Sequence, residues 1–321
     1  MRIDSTKPPR IKMANPTFYL VDVFAKEKYT GNQLAVVRNA SKLATEEMQK
    51  IANEMHFSET TFIPSDQKRD GGYDVRIFTP ANELPFAGHP TLGTAYIIKH
   101  FIAQETVNEV TLNLKVGKIP VTFEKDAEGS ETLWMHQMPP TFGSTYTSLD
   151  VAKVLGLNEK DVDINHPIQE VSTGIPFLIV PLKTLKAVKQ ARVNRKSEQK
   201  TRIPTEILVF APETYNKEND LNVRVFVDLF GIPEDPATGS GNGCLAAYLA
   251  YHKYYGDEPV HIRVEQGYEI GRPSLLHLKA ENRTGNITVQ VGGRVFMVAK
   301  GELFNADGNE SAHSQLSFTS G

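Results

Sequence analysis

Strong biases are scarce in this chain. Among 321 residues there is one cysteine, Cys244. No disulfide can form within the chain, so a reducing setting, the cytoplasm, is expected. No apolar run approaches the roughly 20 residues of a membrane-spanning helix. The opening segment MRIDSTKPPRIKMAN lacks the apolar centre of a secretion signal, and residues 1–15 are expected to be a disordered lead-in. The formal charge is only −3, from 35 basic and 38 acidic residues. Nothing therefore draws the whole molecule toward nucleic acid or an anionic membrane. The densest basic stretch, Lys183–Arg202, contains no aromatic residue on which a base could stack, and reads as solvated surface. Nucleotide loops are missing as well. Gly239-Ser-Gly-Asn-Gly243 has G-x-G-x-G spacing, not G-x-G-x-x-G, and no G-x-x-x-x-G-K-[ST] occurs. The histidines show no H-x-x-x-H or H-x-H pattern that would suggest zinc. No metal and no cofactor are expected.

What is present is a repeat. Asp74–Tyr96, DVRIFTPANELPFAGHPTLGTAY, reads as a strand, a polar loop, a tight turn and the start of a helix. Residues 222–248, NVRVFVDLFGIPEDPATGSGNGCLAAY, read the same way. Val75-Arg-Ile-Phe78 matches Val223-Arg-Val-Phe226, and Pro85-x-x-Gly88 matches Pro236-x-x-Gly239. The offset grows from 148 to 151 residues between strand and turn, so the second loop is three residues longer. Two further matches precede these in the same order. Gly31–Val37 pairs with Gly174–Val180, and Ser58–Ile63 with Thr205–Phe210. Four ordered matches imply two similar halves packed about a pseudo-twofold axis.

Local patterns fill in the halves. Alternating apolar residues predict strands at Thr17–Phe24, Gln33–Val37, Val107–Val116, Lys118–Glu124 and Glu131–Met138. Four more follow at Val260–Glu265, Leu275–Lys279, Asn286–Val291 and Val295–Lys300. Thr45 is placed to cap a helix whose Met48, Ile51, Ala52 and Met55 share one face. A second helix is expected from about Pro90 to Phe101, and a short one at Ser148–Leu155, ended by Gly156. Pro139-Pro140 breaks the pattern and leads into a polar stretch. Strands outnumber helices without regular alternation, which favours α+β.

Each P-x-x-G turn opens a helix and presents unpaired backbone N–H groups at its positive end. If both ends face one cleft, they suit a small carboxylated substrate, with Gly88, Thr238, Gly239 and Ser240 as binding residues. The runs FYLVDVFAKEKYTGNQLAVV, HFSETTFI, NELPFAGHPTLGTAY and EDPATGSGNGCLAAYL resemble the PhzF-like (phenazine-biosynthesis isomerase-like) family, over roughly Phe18 to Arg272. The resemblance implies a diaminopimelate epimerase-like fold, with two lobes that each wrap a curled, mostly antiparallel sheet around a central helix. Lobe limits of 16–127 and 128–321 are expected, with the last residues packing back on the first lobe. It also implies a cofactor-free acid–base isomerase acting on a small carboxylated metabolite, commonly as a homodimer.

Matched residue by residue, the family's glutamate is Glu59, its histidine His89 and its aspartate Asp235. A carboxylate that takes and returns a proton works best with a pKa raised by burial. Phe57 and Phe62, which flank Glu59, are candidates to provide that burial. Glu83 and Glu234 rank below Glu59 and Asp235. Racemases of the wider fold carry a cysteine in each repeated turn. The matching positions here are Ala87 and Thr238, which argues against two-thiol racemisation. A carboxylate-based epimerase, or a catalytically silent small-molecule binder, remain the alternatives at this point.

Overall fold

The computed structural model describes residues 15–194, 203–204, 206–227 and 233–304. Thr205 of the fourth repeat match, residues 195–202 of the basic stretch, and residues 1–14 of the lead-in lie outside the described residues.

Two central helices carry the architecture. Helix α2 (Gly88–Ile97) continues through a π turn to Ile102, and α5 spans Gly239–Tyr251. Both are built from small and apolar residues on all sides, and both are buried over most of their length. A helix without a polar face must be enclosed, and each is wrapped by sheet.

Around α2 run β1 (Thr17–Val23), β2 (Asn32–Arg38), β3 (Glu59–Ile63), β4 (Tyr73–Asp74), β5 (Arg76–Phe78) and β6 (Glu83–Leu84). They are joined by β7 (Glu109–Leu114), β8 (Gly117–Lys125) and β9 (Glu131–His136). Around α5 run β10 (Thr141–Tyr146), β11 (Ile168–Ser172), β12 (Pro176–Pro181), β13 (Ile207–Ala211) and β14 (Leu221–Phe226). The set is completed by β15 (Val260–Gln266), β16 (Ser274–Arg283) and β17 (Asn286–Gly293), while the last strand, β18 (Val295–Glu302), returns to the α2 side beside β1. Hydrogen bonding gives a six-stranded sheet, β18-β1-β2-β3-β5-β6. The other sheet has twelve strands, β10-β11-β12-β13-β14-β15-β16-β17-β9-β8-β7-β4.

The repeat is legible in the pairings. β1–β2 are antiparallel, β2–β3 parallel and β3–β5 antiparallel. β11–β12, β12–β13 and β13–β14 copy that sequence. The parallel β4–β7 pair likewise matches β14–β15. Helix α1 (Thr45–Met55) makes the crossover in the first half, and α4 (Leu185–Gln190) lies between β12 and β13 in the second. α3 (Ser148–Leu155) ends at Gly156, as the sequence predicts. The halves are joined where β9 pairs with β17. They also exchange strands: β10, which follows β9, pairs with β11, while β18, which follows β17, pairs with β1. Mostly antiparallel pairing with a few parallel pairs makes this the α+β architecture expected.

Several local expectations change. Thr45 is the first helical residue of α1, not its cap; Ala44 holds the cap position. The Thr45 hydroxyl instead accepts from both Arg76 Nη atoms at 3.1 Å. The helix at the first P-x-x-G turn begins at Gly88, two residues before the expected start. Thr141–Tyr146 is a strand. Its residues are almost all exposed or half-exposed, so no apolar alternation marked it.

The two carboxylates ranked low have a shared structural task. Arg76 holds Glu83 bidentately at 2.8 and 2.9 Å. Arg224, one repeat later, holds Glu234 at 2.8 and 2.7 Å. Each pair ties the VR[IV]F strand to the segment just before the P-x-x-G turn. Arg76, with Lys115, holds the Glu83 carboxyl down to about 2. In the second half Arg224 also donates to the carbonyls of Val188 and Ala191 at the end of α4, a helix end that favours a cation.

Candidate active site

The two central helices meet end to end. A Cβ on Gly88 would lie 3.1 Å from Gly239 Cα and 3.3 Å from the Ser240 nitrogen. Glycine at both turns is what lets the backbones approach. Neither cap residue, Ala87 or Thr238, offers a side-chain cap to its helix. The first-turn N–H groups therefore have no partner within their helices, and two positive helix ends face one small space. That space is lined from the first half by Ser58, Glu59, Phe86, Ala87, Gly88 and His89. The second half contributes Ile175, Phe177, Val227, Asp235, Thr238, Gly239 and Ser240. Every residue expected at the site from the sequence is among them. The cavity measures about 40 Å³. A larger open hollow of about 710 Å³ beside Tyr96 and β18 contains none of them.

Glu59 opens β3 and is 7% exposed. Its burial does not come from Phe62, which points to the opposite face of β3 and packs with Phe78 and α1. Glu59 shares its face with Thr61, whose hydroxyl bonds that of Thr94 on α2 at 2.8 Å. The period of two along a strand separates the faces, so sequence neighbours one and three positions apart lie on different sides. Burial, reinforced by the nearby Asp235 charge, pushes the Glu59 carboxyl well above the usual range.

His89 is 4% exposed. Its Nε2 faces Glu59 Oε2 at 3.3 Å, and neither atom has a hydrogen-bond partner among the described residues. Burial pulls the imidazole down to about 3, against a smaller opposing effect of the Gln33 carbonyl. The contact thus joins a neutral imidazole to a carboxyl that favours its protonated form; it is not an ion pair.

Asp235 comes from the other half. Burial pushes its carboxyl up to about 6, partly offset by hydrogen bonds from Thr238 and Asn32. Thr238 Oγ1 donates to Oδ2 at 2.6 Å, and Asn32 Nδ2 donates to Oδ1 at 3.0 Å.

Asn32 was not singled out from the sequence. Its amide lies within 3.0 Å of Asp235 Oδ1 and of the Ala237 carbonyl, and 3.2 Å from His89 Nδ1. It therefore links His89 to Asp235 across the two halves. The repeat hid it, because the matching residue of the second half is Ile175, an apolar wall of the same cavity. The available signal was that difference: a polar residue where the other copy is apolar.

A family model described as phenazine biosynthesis-like protein (PhzC-PhzF) matches residues 21–301. The chain belongs to this phenazine biosynthesis-like family. A trans-2,3-dihydro-3-hydroxyanthranilate isomerase of Pseudomonas fluorescens is 34% identical over 289 residues, covering 89% of this chain and 98% of the relative. A PhzF-family protein of Bacillus anthracis is similar in structure, with a TM-score of 0.81 and 28% identity, over 91% of this chain and all of that one. A hydroxyproline epimerase of Agrobacterium vitis shares the fold alone, with a TM-score of 0.58 at 10% identity over 92% of this chain and 94% of its own. The chain is a PhzF-like isomerase.

Within this family frame Cys244 has no site role. It lies inside α5, fully buried, with its sulfur 3.6 Å from Thr173 Oγ1 and 3.5 Å from the Ile175 carbonyl. Burial pushes its thiol up to about 11, far from a reactive thiolate. Among the described residues no group of three or more His, Cys, Asp or Glu could hold a metal ion. No helix among them is long and apolar enough to cross a membrane.

Proposed function

We propose that this PhzF-like protein moves a proton between carbons of a small carboxylated metabolite by acid–base catalysis without a cofactor. The observation that carries the reading is the buried Glu59 carboxyl, facing His89 at 3.3 Å beside two uncapped helix ends. A carboxyl with a raised pKa can both give and take a proton near neutrality. The substrate carboxylate docks on the N–H groups of Gly88, Gly239 and Ser240, where the helix ends favour negative charge. Asp235 accepts from an amine or hydroxyl of the substrate, and neutral His89 assists the proton on its way. Phe86, Ile175, Phe177 and Val227 form the apolar wall.

A cavity of about 40 Å³ holds only about three waters, so the halves part to admit a substrate and close over it. Closure excludes water and strengthens the electrostatics inside. Lobe limits near residue 127 and a homodimer complete the proposal; sedimentation at several concentrations checks the latter.

The test uses the compound named for the Pseudomonas relatives, trans-2,3-dihydro-3-hydroxyanthranilate, in D2O. Movement of unsaturation along the ring, with deuterium at one carbon, is the expected result. Inversion of one centre with the unsaturation in place would favour an epimerase instead. Tight binding of the unchanged compound would favour a silent binder.

A further inference from the structure

We propose that one turn of the second lobe, Gln266–Arg272, sets the position of Asp235 from both sides, with Gln266 and Arg272 as positioning residues. The inference rests on the reading of Asp235 as a site residue but not on the reaction assigned to it.

Arg272 reaches across to the first lobe. Its Nε donates to the Gly31 carbonyl at 2.9 Å, Nη1 to Tyr29 at 2.9 Å and Nη2 to Thr30 at 2.9 Å. Nη2 also bonds Asp22 Oδ1 at 2.7 Å. Asp22 is 3% exposed, and its other oxygen accepts from the Tyr29 nitrogen at 2.6 Å. Three consecutive carbonyls directly before Asn32 are thus held by one guanidinium. The Gly31 nitrogen closes the contact by donating to the Pro273 carbonyl at 3.0 Å. Only a planar fork with several fixed donors serves carbonyls arrayed this way; an ammonium is a point with three. Asn32 then carries the constraint to Asp235 Oδ1.

Gln266 works on the other oxygen. Its Oε1 accepts from the Thr238 nitrogen at 3.2 Å and from Asn242 Nδ2 at 2.8 Å. Its Nε2 donates to the Asp235 carbonyl at 2.8 Å and to Thr238 Oγ1 at 3.0 Å. A backbone N–H can only donate and a carbonyl can only accept, so these partners fix which way the amide faces. Because Thr238 Oγ1 receives from Gln266, its single proton is directed to Asp235 Oδ2. Gly267 brings the turn close enough. At φ 80° it has no room for a side chain, since a Cβ would collide with the carbonyls of Arg272 and Pro236.

Both carboxylate oxygens of Asp235, a residue that lines the cavity, are therefore oriented from one turn. A role confined to fold stability would use the same bonds, so the test reads Asp235 itself. The protein is labelled at the aspartate carboxyl carbon with 13C and titrated by NMR, with Asp235→Asn used for assignment. Arg272→Lys, which keeps the charge, and Gln266→Leu should each raise the Asp235 midpoint by about half a unit to one unit, since hydrogen bonds to the charged form hold it down. In an Asn32→Ala background Arg272→Lys should add no further shift. The same holds for Gln266→Leu in a Thr238→Val background, because residues acting in series are not additive.

If Arg272→Lys fails to fold, Gln266→Met tests the second arm in an uncharged side chain of similar size. It withdraws the donor to Thr238 and should also raise the midpoint. Variants that lose thermal stability while the Asp235 midpoint stays in place would overturn the proposal. So would shifts that add fully in the double variants. Turnover retained by Asp235→Asn would instead defeat the reaction assigned to Asp235 and leave the titration result standing.

Discussion

Replacing Asp235 by asparagine should change how stability depends on pH, in a direction the burial dictates. In the fold the Asp235 carboxyl is raised from 3.8 to about 6. The folded chain therefore holds this proton more tightly than the unfolded chain. The group's contribution is full below its unfolded pKa and is lost as pH rises through its folded one. A shift of about two units corresponds to about 3 kcal/mol once the group is fully ionised in both states. Asp235 keeps partial contact with solvent, and screening trims this to about 2 kcal/mol. Asparagine cannot ionise. Between about pH 4.5 and pH 7.5 the stability of the variant relative to the parent should thus improve by about 1.5 kcal/mol. Urea unfolding at the two pH values measures it, with the single tryptophan, Trp134, buried and suited to report the transition. The difference between pH values is the useful quantity. New or lost hydrogen bonds to Asn32 and Thr238 affect the variant at both pH values and cancel. A relative stability that stays flat across this range, or moves against the variant, would show that the fold does not hold the Asp235 proton more tightly than the unfolded chain does.

Other expectations follow from close contacts and pairs. Gly88→Ala places a Cβ 3.1 Å from Gly239 Cα, where only backbone can yield; a loss of about 1–3 kcal/mol and a lower Tm are expected, together with weaker anion binding between the helix ends. Arg224→Met strands the buried Glu234 and should cost about 3–5 kcal/mol in urea unfolding, whereas Arg224→Met with Glu234→Met should recover most of it. His89 is held neutral, its pKa down to about 3. His89→Asn should therefore lower turnover without moving the limbs of a pH–rate profile between about pH 5 and pH 8; a lost limb would show that His89 titrates in that range.

The repeat made much of the architecture readable, because two copies of a strand, loop and turn constrain each other where one does not. It found Gly88 and Gly239, whose backbones must approach. It passed over the Arg76–Glu83 and Arg224–Glu234 pairs, although both lie at matched positions, since nothing in the sequence says which acid an arginine will hold. It also passed over Asn32, because symmetry directs attention to what the halves share and Asn32 is where they differ. The strand Thr141–Tyr146 was invisible for another reason. It adds to the sheet edge with little buried surface, so its backbone pairing leaves no apolar period. Glu59 was placed correctly as a buried carboxyl, but through the wrong neighbour: Phe62 faces away, and the residues around the Glu59 carboxyl come from distant stretches of both halves, which local sequence cannot supply.

Glu59 is the group proposed to carry the proton. The direct measurement is turnover of Glu59→Gln on a substrate the parent enzyme converts in D2O, with thermal unfolding recorded alongside. Glutamine fills the same space and cannot take up or release a proton. A fall of about a thousandfold or more in kcat/KM, with deuterium incorporation lost and Tm kept or raised, is the result predicted. Turnover within about tenfold of the parent, with deuterium still entering the product, would contradict it.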